Sequence, residues 1–429
     1  MKSSKKVQSI SEKSKLLSLF LRVKARLLKK PLKRSAVEPF YFYVDGYNGK
    51  HPVFIFSSFP CSKYMQGFCT PCLYSNIVHS TQEKKVVYES LLVQAEYIIN
   101  NFDNLITKKQ NHKVFKNLYK KFPKRPLVTF ELCGEGSFLA NPEIPSEYRW
   151  KIINLFYNYA RQKKINMQVL LETKVADFLG IYQEFENKKE IIKDLNLTLI
   201  FGFESVNEIT RNVIYNKGMD LADFERAVKI AHSLGLRTGA FLFCGFYSMT
   251  QREIVEDVRA SVSYLSKKNT SIYLMLPNLQ PYTINHLLFT SGRYNLLEPR
   301  TVVELVKIIS ENSLGTKSSF YFNGYNWNIG GLTTYPQPEL LLFSNHNFVT
   351  CDKCTCVIKN ALNNLVVDYK IAAFLENIKK IDNCSCKLRY QNFVLKEENN
   401  KIPLIERVRA NVDFCQKIKD EYIEKIKAI

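Results

Sequence analysis

Between residues 50 and 315 the chain alternates short runs rich in β-branched and aromatic residues with longer stretches of helical periodicity. The runs at 53–56, 127–133, 167–172, 197–204, 237–243 and 271–276 read as strands. Helical patterns near 83–101, 147–162, 184–193, 221–234, 250–267 and 299–312 separate or follow them. Six β–α units in a row imply parallel strands joined by crossover helices. Six is fewer than the eight of a closed barrel, so the expected architecture is α/β: a partial (β/α)6 barrel. Ligands of such folds bind at the C-terminal ends of the strands.

The flanks lack this alternation. Residues 1–12 are Ser/Lys-rich and read as disordered. From 13 to 30 the pattern is that of a basic helix, with Leu16, Phe20, Val23 and Leu27 as one stripe and Arg22, Arg26 and Lys29 as another, ended by Pro31. Three roles compete for it: a nucleic-acid arm, a membrane-surface helix, or a helix docked on its own core. Docking or an RNA-facing arm is favoured. After 315, Tyr321, Phe322, Tyr325 and Trp327 with Gly324, Gly330 and Gly331 suggest a packed loop region. The organisation read from these shifts is a basic extension over 1–45, the barrel over 46–318 and a small cysteine-bearing C-terminal region over 319–429.

Composition narrows the class. Hydrophobic residues make up 46% of the 429, enough for a sizeable core. No apolar run is long enough to span a bilayer, and 16–21 is too short for a secretory core, so a cytoplasmic protein is expected. Net charge is +21, but residues 1–34 hold twelve Lys/Arg against one acid, Glu12, leaving +10 for the rest. A polyanionic partner such as RNA is consistent with this, though the signal comes largely from a tail. Eleven cysteines is an odd, clustered count, which in a reducing compartment reads as metal or cluster ligands rather than disulfides. Cys133, Cys244 and Cys415 stand alone and read as buried thiols.

The first strand runs into Cys61, Cys69 and Cys72, spaced C-x7-C-x2-C. Zinc would want four ligands, and the nearest histidines are His51, before the strand, and His79, beyond the loop. Three cysteines without an evident fourth ligand suit a [4Fe–4S] cluster with one iron open; structural zinc is the competing assignment. The second strand ends in Cys133-Gly134-Glu135-Gly136-Ser137, where glycines permit close approach of backbone to a ligand and carbonyls or Glu135 can accept from an ammonium group. Glu172 and Glu204 close the third and fourth strands. They read either as helix caps or as carboxylates facing a polar ligand. Ser248 is expected to cap the helix carrying Glu253 and Asp257, and Gln280 and Thr283 to face a substrate or simply to make a turn. Towards the C-terminus, Cys351, Cys354, Cys384 and Cys386 are spaced for a four-thiolate zinc site around a helix near 363–380, with Cys356 spare. A second iron–sulfur cluster or unligated thiols are the alternatives.

On the Cys61/Cys69/Cys72 loop, the Gly134–Gly136 turn, Gly202-Phe203-Glu204-Ser205 and Asn216-Lys217-Gly218, residues 50–315 resemble the radical SAM superfamily, in its branch with an Elongator-catalytic-subunit/MiaB-like core. Gly136-Ser137-Phe138-Leu139 with Glu143-Ile144-Pro145, and Gln280-Pro281-Tyr282-Thr283, are similar to the radical SAM subunit family of archaeosine synthase. The resemblance implies that Cys61, Cys69 and Cys72 ligate three irons and that S-adenosylmethionine chelates the fourth. It places Gly134, Glu135, Gly136 and Ser137 near the methionine amino group, and Glu172, Glu204 and Ser205 near the rest of that cofactor. The implied activity is reductive cleavage of S-adenosylmethionine to a 5′-deoxyadenosyl radical, used in tRNA base modification of the archaeosine kind, with an electron-donor protein and a companion subunit as partners. Two other readings stay open on the residues: a radical SAM enzyme acting on a small molecule or peptide, and a non-enzymatic zinc- and RNA-binding protein.

Overall fold

The computed structural model describes residues 2–28, 39–46, 49–72, 83–107, 128–134, 136–277, 279, 282–313, 320–323, 348–368, 371–399 and 401–427. Its strands are β1 (Phe40–Gly46), β2 (Gly49–Ile55), β3 (Val128–Cys133), β4 (Met167–Thr173), β5 (Thr198–Glu204), β6 (Arg237–Phe243), β7 (Ser271–Met275) and β8 (Phe320–Asn323). Its helices are α1 (Lys2–Leu28), α2 (Ser62–Met65), α3 (Lys84–Asn100), α4 (Ser146–Lys163), α5 (Val175–Ile181), α6 (Lys189–Asp194), α7 (Leu221–Ser233), α8 (Gln251–Lys267), α9 (Ile284–Thr290), α10 (Pro299–Ser313), α11 (Asp352–Asp368), α12 (Ile371–Lys379), α13 (Cys386–Glu398) and α14 (Leu404–Lys427).

All eight strands form one sheet in the order of the chain. Strands β2 to β7 are the six expected units, paired parallel, and β8 continues the parallel run. Strand β1 adds an antiparallel edge, and its pairing extends β2 back to Gly49, four residues earlier than the apolar run alone indicates. The ends of the sheet, β1 and β8, approach each other without a ladder between them, so the barrel is open.

Strand residues alternate between two surroundings. Phe130, Leu132, Val169, Leu171, Leu199, Phe201 and Phe203 face outward into the main core beneath the helices. Leu170, Ile200 and Tyr273, with Phe241, form a small apolar floor on the other face, inside the barrel. Above that floor, in the same alternation, come Glu131, Cys133 and Glu172. A second core holds Ile10, Leu17 and Leu21 of α1 against Ile214, Phe246, Tyr247, Ile284, Val408 and Cys415. This core lies on the side of the loops that follow β5 and β6, where a ligand is expected.

Several expectations change. Residues 2–12 are helical rather than disordered, because Ile10 and Ser14 are buried where the helix docks. The buried face of α1 is Ile10, Ser14, Leu17, Ser18, Leu21, Arg22 and Ala25; of the apolar stripe, Leu16 is 59% exposed and Val23 53%, while Phe20 packs against the second core. The helix rests on backbone carbonyls as much as on an apolar core, so its inward face mixes small, polar and charged groups. The single helix expected at 184–193 is a 3-10 turn (Tyr182–Phe185) and the short α6, with α5 before them. The helix expected near 363–380 is α11, beginning at Asp352, followed by a separate α12. Helix α8 is capped by Thr250, which forms a capping box with Glu253, and not by Ser248. Thr283 caps α9, accepting from the His286 backbone N–H at 3.2 Å, which is the turn reading of that segment. Gln280, His79 and the 324–331 aromatic–glycine stretch lie outside the described residues.

Candidate active site

The three-cysteine loop leaves β2 and is fixed on three sides. Cys61 is buried at the N-terminus of the short α2, while Cys69 and Cys72 are half-buried. Cys69 takes a left-handed backbone, φ 56°, and its N–H donates to the Asn216 carbonyl at 3.0 Å. Thr70 follows with its N–H to the Tyr215 carbonyl at 2.9 Å and its hydroxyl to the Ile214 carbonyl at 2.7 Å. The Asn216-Lys217-Gly218 turn therefore meets the cysteine loop, and Phe68 is seated so that a Cβ on Gly218 would come within 2.7 Å of its ring.

On the second side lies the glycine turn after β3. A Cβ on Gly136 would overlap the Cys61 thiol, coming within 2.5 Å of the Cys61 Cβ, so two sequence motifs from neighbouring strands are in contact and only glycine permits it. The turn is organised by Glu143, whose Oε2 accepts from the N–H of Gly136 at 2.7 Å and of Ser137 at 2.9 Å. Its other oxygen pairs with Lys174 Nζ at 3.0 Å. The Ser137 hydroxyl meets Thr173 Oγ1 at 3.0 Å. Glu135 lies outside the described residues.

On the third side is α1. The Arg22 guanidinium, 4% exposed, donates to the carbonyls of Tyr64, Phe68 at 2.6 Å, Cys69 at 2.9 Å and Cys72 at 3.4 Å. It also lies over the Tyr64 ring at 3.9 Å. Ser11 and Asn216 bond reciprocally, side chain to side chain at 3.1 Å and Asn216 Nδ2 to the Ser11 carbonyl at 2.9 Å. The basic helix is docked, and one of its cations holds the cysteine loop.

Three lysines stand near the thiols, two of them paired with carboxylates. Burial pushes the Cys61 thiol up, and the Lys174 ammonium works against that. Burial disfavours charge on Lys174, yet Glu143, then Cys61 and Asp177, hold its pKa above the ordinary lysine value. The same holds for Lys217: burial opposes its charge, but Glu204, Cys69 and Glu172 keep it raised. Burial lowers Lys63, with Cys69 acting the other way.

The mouth carboxylates do not cap helices. Lys174 precedes α5 and Glu208 precedes the π-helical turn Ile209–Ile214, neither with a side-chain cap. Glu204 sits at a bulge in β5 with φ 68° and accepts from Lys217 Nζ at 2.8 Å. A backbone held in that region by a non-glycine residue is strained. Gly202 is what lets Lys217 lie across the strand: a Cβ there would come within 2.9 Å of Lys217 Cε and closer still to its ammonium. Glu172 is half-buried inside the barrel, and burial holds its pKa above the ordinary value against the opposing Cys133 thiol and Lys217. Ser205 is fully buried and turned into the support of the mouth, donating to Asp257 Oδ1 at 2.6 Å and accepting from the Asn207 N–H at 2.9 Å.

Glu131, Glu143, Lys174, Asp257 and Arg22 do not stand out from the sequence as site residues. Glu131 is 3% exposed and points into the barrel; burial and then the Glu172 charge hold its carboxyl well above the usual carboxylate range. Its signal is an acid in an otherwise apolar strand. Glu143 had a weaker one, its place in the Glu143-Ile144-Pro145 stretch.

No family model matches the chain. It is 24% identical over 267 residues to archaeosine synthase subunit beta of Methanosarcina acetivorans, spanning 62% of this chain and 68% of that one. A second archaeosine synthase subunit beta, from Thermococcus kodakarensis, is 26% identical over 159 residues, 37% of this chain and 47% of its own. An uncharacterised protein of Methanocaldococcus jannaschii is 23% identical over 84% of this chain and 87% of its own. Among solved structures, the radical S-adenosylmethionine methyltransferase TsrM of Kitasatospora setae matches at TM-score 0.34 and 14% identity, over 55% of this chain and 36% of that one. Elp3 of Methanocaldococcus infernus matches at TM-score 0.34 and 14% identity, over 52% and 53%. The chain thus spans only a third to a half of these two solved chains.

No helix among the described residues is long and apolar enough to cross a membrane.

Proposed function

We propose that Cys61, Cys69 and Cys72 hold a [4Fe–4S] cluster and that S-adenosylmethionine binds its open iron, in an enzyme that modifies a tRNA base. The observation that carries this is the contact between Gly136 and Cys61, which brings the cysteine loop and the glycine turn together at the mouth of the parallel strands. The residues fit such a group. Three thiolates bring negative charge into a partly buried pocket, and Lys174, Lys217 and Lys63 stand beside them to balance it. When bound, the cluster and S-adenosylmethionine supply reductive cleavage of the sulfonium and hence a radical able to abstract hydrogen.

This chain's own residues position and enclose. Arg22 and the 214–216 carbonyls fix the loop that presents the thiols. With the N–H groups of Gly136 and Ser137 taken by Glu143, the turn offers carbonyl oxygens, which suit an ammonium group such as that of the methionine moiety. Glu172 and Glu204 supply carboxylates at adjacent strand ends, and Ser205 supports Glu204 through the loop that follows it. The apolar floor of Leu170, Ile200 and Tyr273 closes the barrel below and keeps water from the radical chemistry.

The tRNA substrate, an archaeosine-type reaction, a companion subunit and an electron-donor protein belong to this reading through the similarity to archaeosine synthase beta subunits. The test is deoxyadenosine release by anaerobically reconstituted protein given S-adenosylmethionine and a reductant, with and without bulk tRNA. Stimulation by tRNA is expected. Release that tRNA leaves unchanged would sink the tRNA assignment and favour a small-molecule or peptide substrate.

A further inference from the structure

A second group of cysteines converges in the C-terminal region. The sulfurs of Cys351, Cys354, Cys384 and Cys386 all lie within 4.8 Å of one another, and Cys351 Sγ is 3.7 Å from Cys384 Sγ. Four thiolates about 2.3 Å from one tetrahedral zinc stand roughly 3.8 Å apart, which is this spacing. A cubane cluster puts each thiolate on a different iron and spreads them further. The cysteines are free thiols, not disulfides. Cys356 is exposed and outside the group.

A second observation is independent of the spacing. Arg300, at the start of α10, is 6% exposed. Its partners among the described residues are the Ile381 carbonyl at 3.1 Å, Cys386 Sγ at 3.2 Å and Cys354 Sγ at 3.7 Å, with no carboxylate. A buried guanidinium facing neutral thiols is costly; facing thiolates on a metal it has a counter-charge. A divalent ion with four thiolates carries a net charge of 2−, and one guanidinium halves it. Two residues earlier, Glu298 accepts from the N–H groups of Val349 at 3.0 Å and Thr350 at 3.2 Å and from the Thr350 hydroxyl at 2.9 Å, directly before Cys351. Glu298, just before barrel helix α10, and Arg300, in its first turn, thus grip both sides of the cysteine group.

We propose that Cys351, Cys354, Cys384 and Cys386 hold one tetrahedral thiophilic divalent ion, zinc by its ligand chemistry, and that Arg300 is its charge-balancing positioning residue, so that the centre fastens α11 and α13 to the barrel helix α10. This centre is separate from the one at the barrel mouth, and it stands or falls without it.

Full-length protein purified without chelators, and a Cys61→Ala/Cys69→Ala/Cys72→Ala variant, are assayed for metals by plasma mass spectrometry. One zinc per chain is expected in both. Protein produced with cobalt(II) shows the ligand-field and thiolate charge-transfer bands of a tetrahedral four-sulfur site. Titrating the wild-type protein with an organomercurial releases the zinc in step with modification of four thiols, which tests the site even if Cys384→Ser does not fold. In Arg300→Met, zinc is retained but released about tenfold faster, with partial rescue in Arg300→Lys. Wild-type protein without zinc, or cluster-type iron absorbance persisting in the triple variant, would overturn the metal assignment. An unchanged release rate in Arg300→Met would overturn the role of Arg300.

Discussion

The guanidinium of Arg22 donates to the carbonyl of Cys69 at 2.9 Å, across 47 positions of chain. With its bonds to Tyr64, Phe68 and Cys72, this single side chain joins the N-terminal helix to four carbonyls of the cysteine loop. Its removal takes a charged donor away from all four, and the Tyr64 and Cys69 carbonyls keep their backbone donors, the N–H groups of Gly67 and Cys72. Hydrogen bonds to a charged group contribute about 1.5–3 kcal/mol each. Arg22→Ala is expected to lower the iron retained per chain after reconstitution and to speed chelator-driven iron loss, with Arg22→Lys intermediate. Iron-to-protein ratios and bleaching kinetics check this.

Gly136→Ala drives a methyl group into the Cys61 thiol, whereas Gly180→Ala, on α5, meets nothing within 4 Å. The first substitution is expected to reduce iron incorporation severely. The second leaves it unchanged and raises stability slightly, because alanine is the better helix former by about 1 kcal/mol. Parallel reconstitution and thermal melts of the two variants give the comparison.

Lys217 Nζ is 2.8 Å from Glu204 Oε1 and balances Glu172 as well. Removing the cation alone leaves buried carboxylates uncompensated, so Lys217→Met should destabilise by about 3 kcal/mol. Lys217→Met/Glu204→Gln recovers part of that loss. Denaturant unfolding of the two single variants and the double variant measures the coupling, and additive losses would contradict a direct pair.

Burial, opposed by Ser205 and Arg211, pushes Asp257 up to about 7 from 3.8. The folded chain therefore binds a proton that the unfolded chain has released between about pH 4 and 7. This contribution to stability is full below pH 4 and is lost as pH rises through 7. Asp257 faces Ser205 and Arg211 and adds to the raised pKa of Cys244. Asp257→Asn keeps an acceptor for Ser205 and should flatten the fall in melting temperature between pH 5 and 8 relative to wild type.

Much of the barrel was legible because each parallel strand is a short β-rich run bounded by turns, with helices of strong periodicity between them. Strands β1 and β8 were not, since an edge strand is decided by what it pairs with: β1 exists on β2 and β8 on β7. The docked face of α1 was not legible because the periodic apolar stripe does not mark it: Leu16 and Val23 of that stripe are exposed, while Ser14, Ser18 and Arg22 face in. Within the site, local motifs announced the cysteines, the glycine turn and Glu204. Glu143, Lys174 and Arg22 act through contacts between distant segments, which no local pattern encodes.

The central claim is that Cys61, Cys69 and Cys72 form the radical-generating centre. Its most direct test is 5′-deoxyadenosine formation by anaerobically reconstituted wild-type protein and by Cys61→Ala/Cys69→Ala/Cys72→Ala, with S-adenosylmethionine and a strong reductant. The account predicts product from the wild type and none from the variant, alongside loss of the corresponding iron. Equal product from both, or a wild-type protein that takes up no iron, would contradict it.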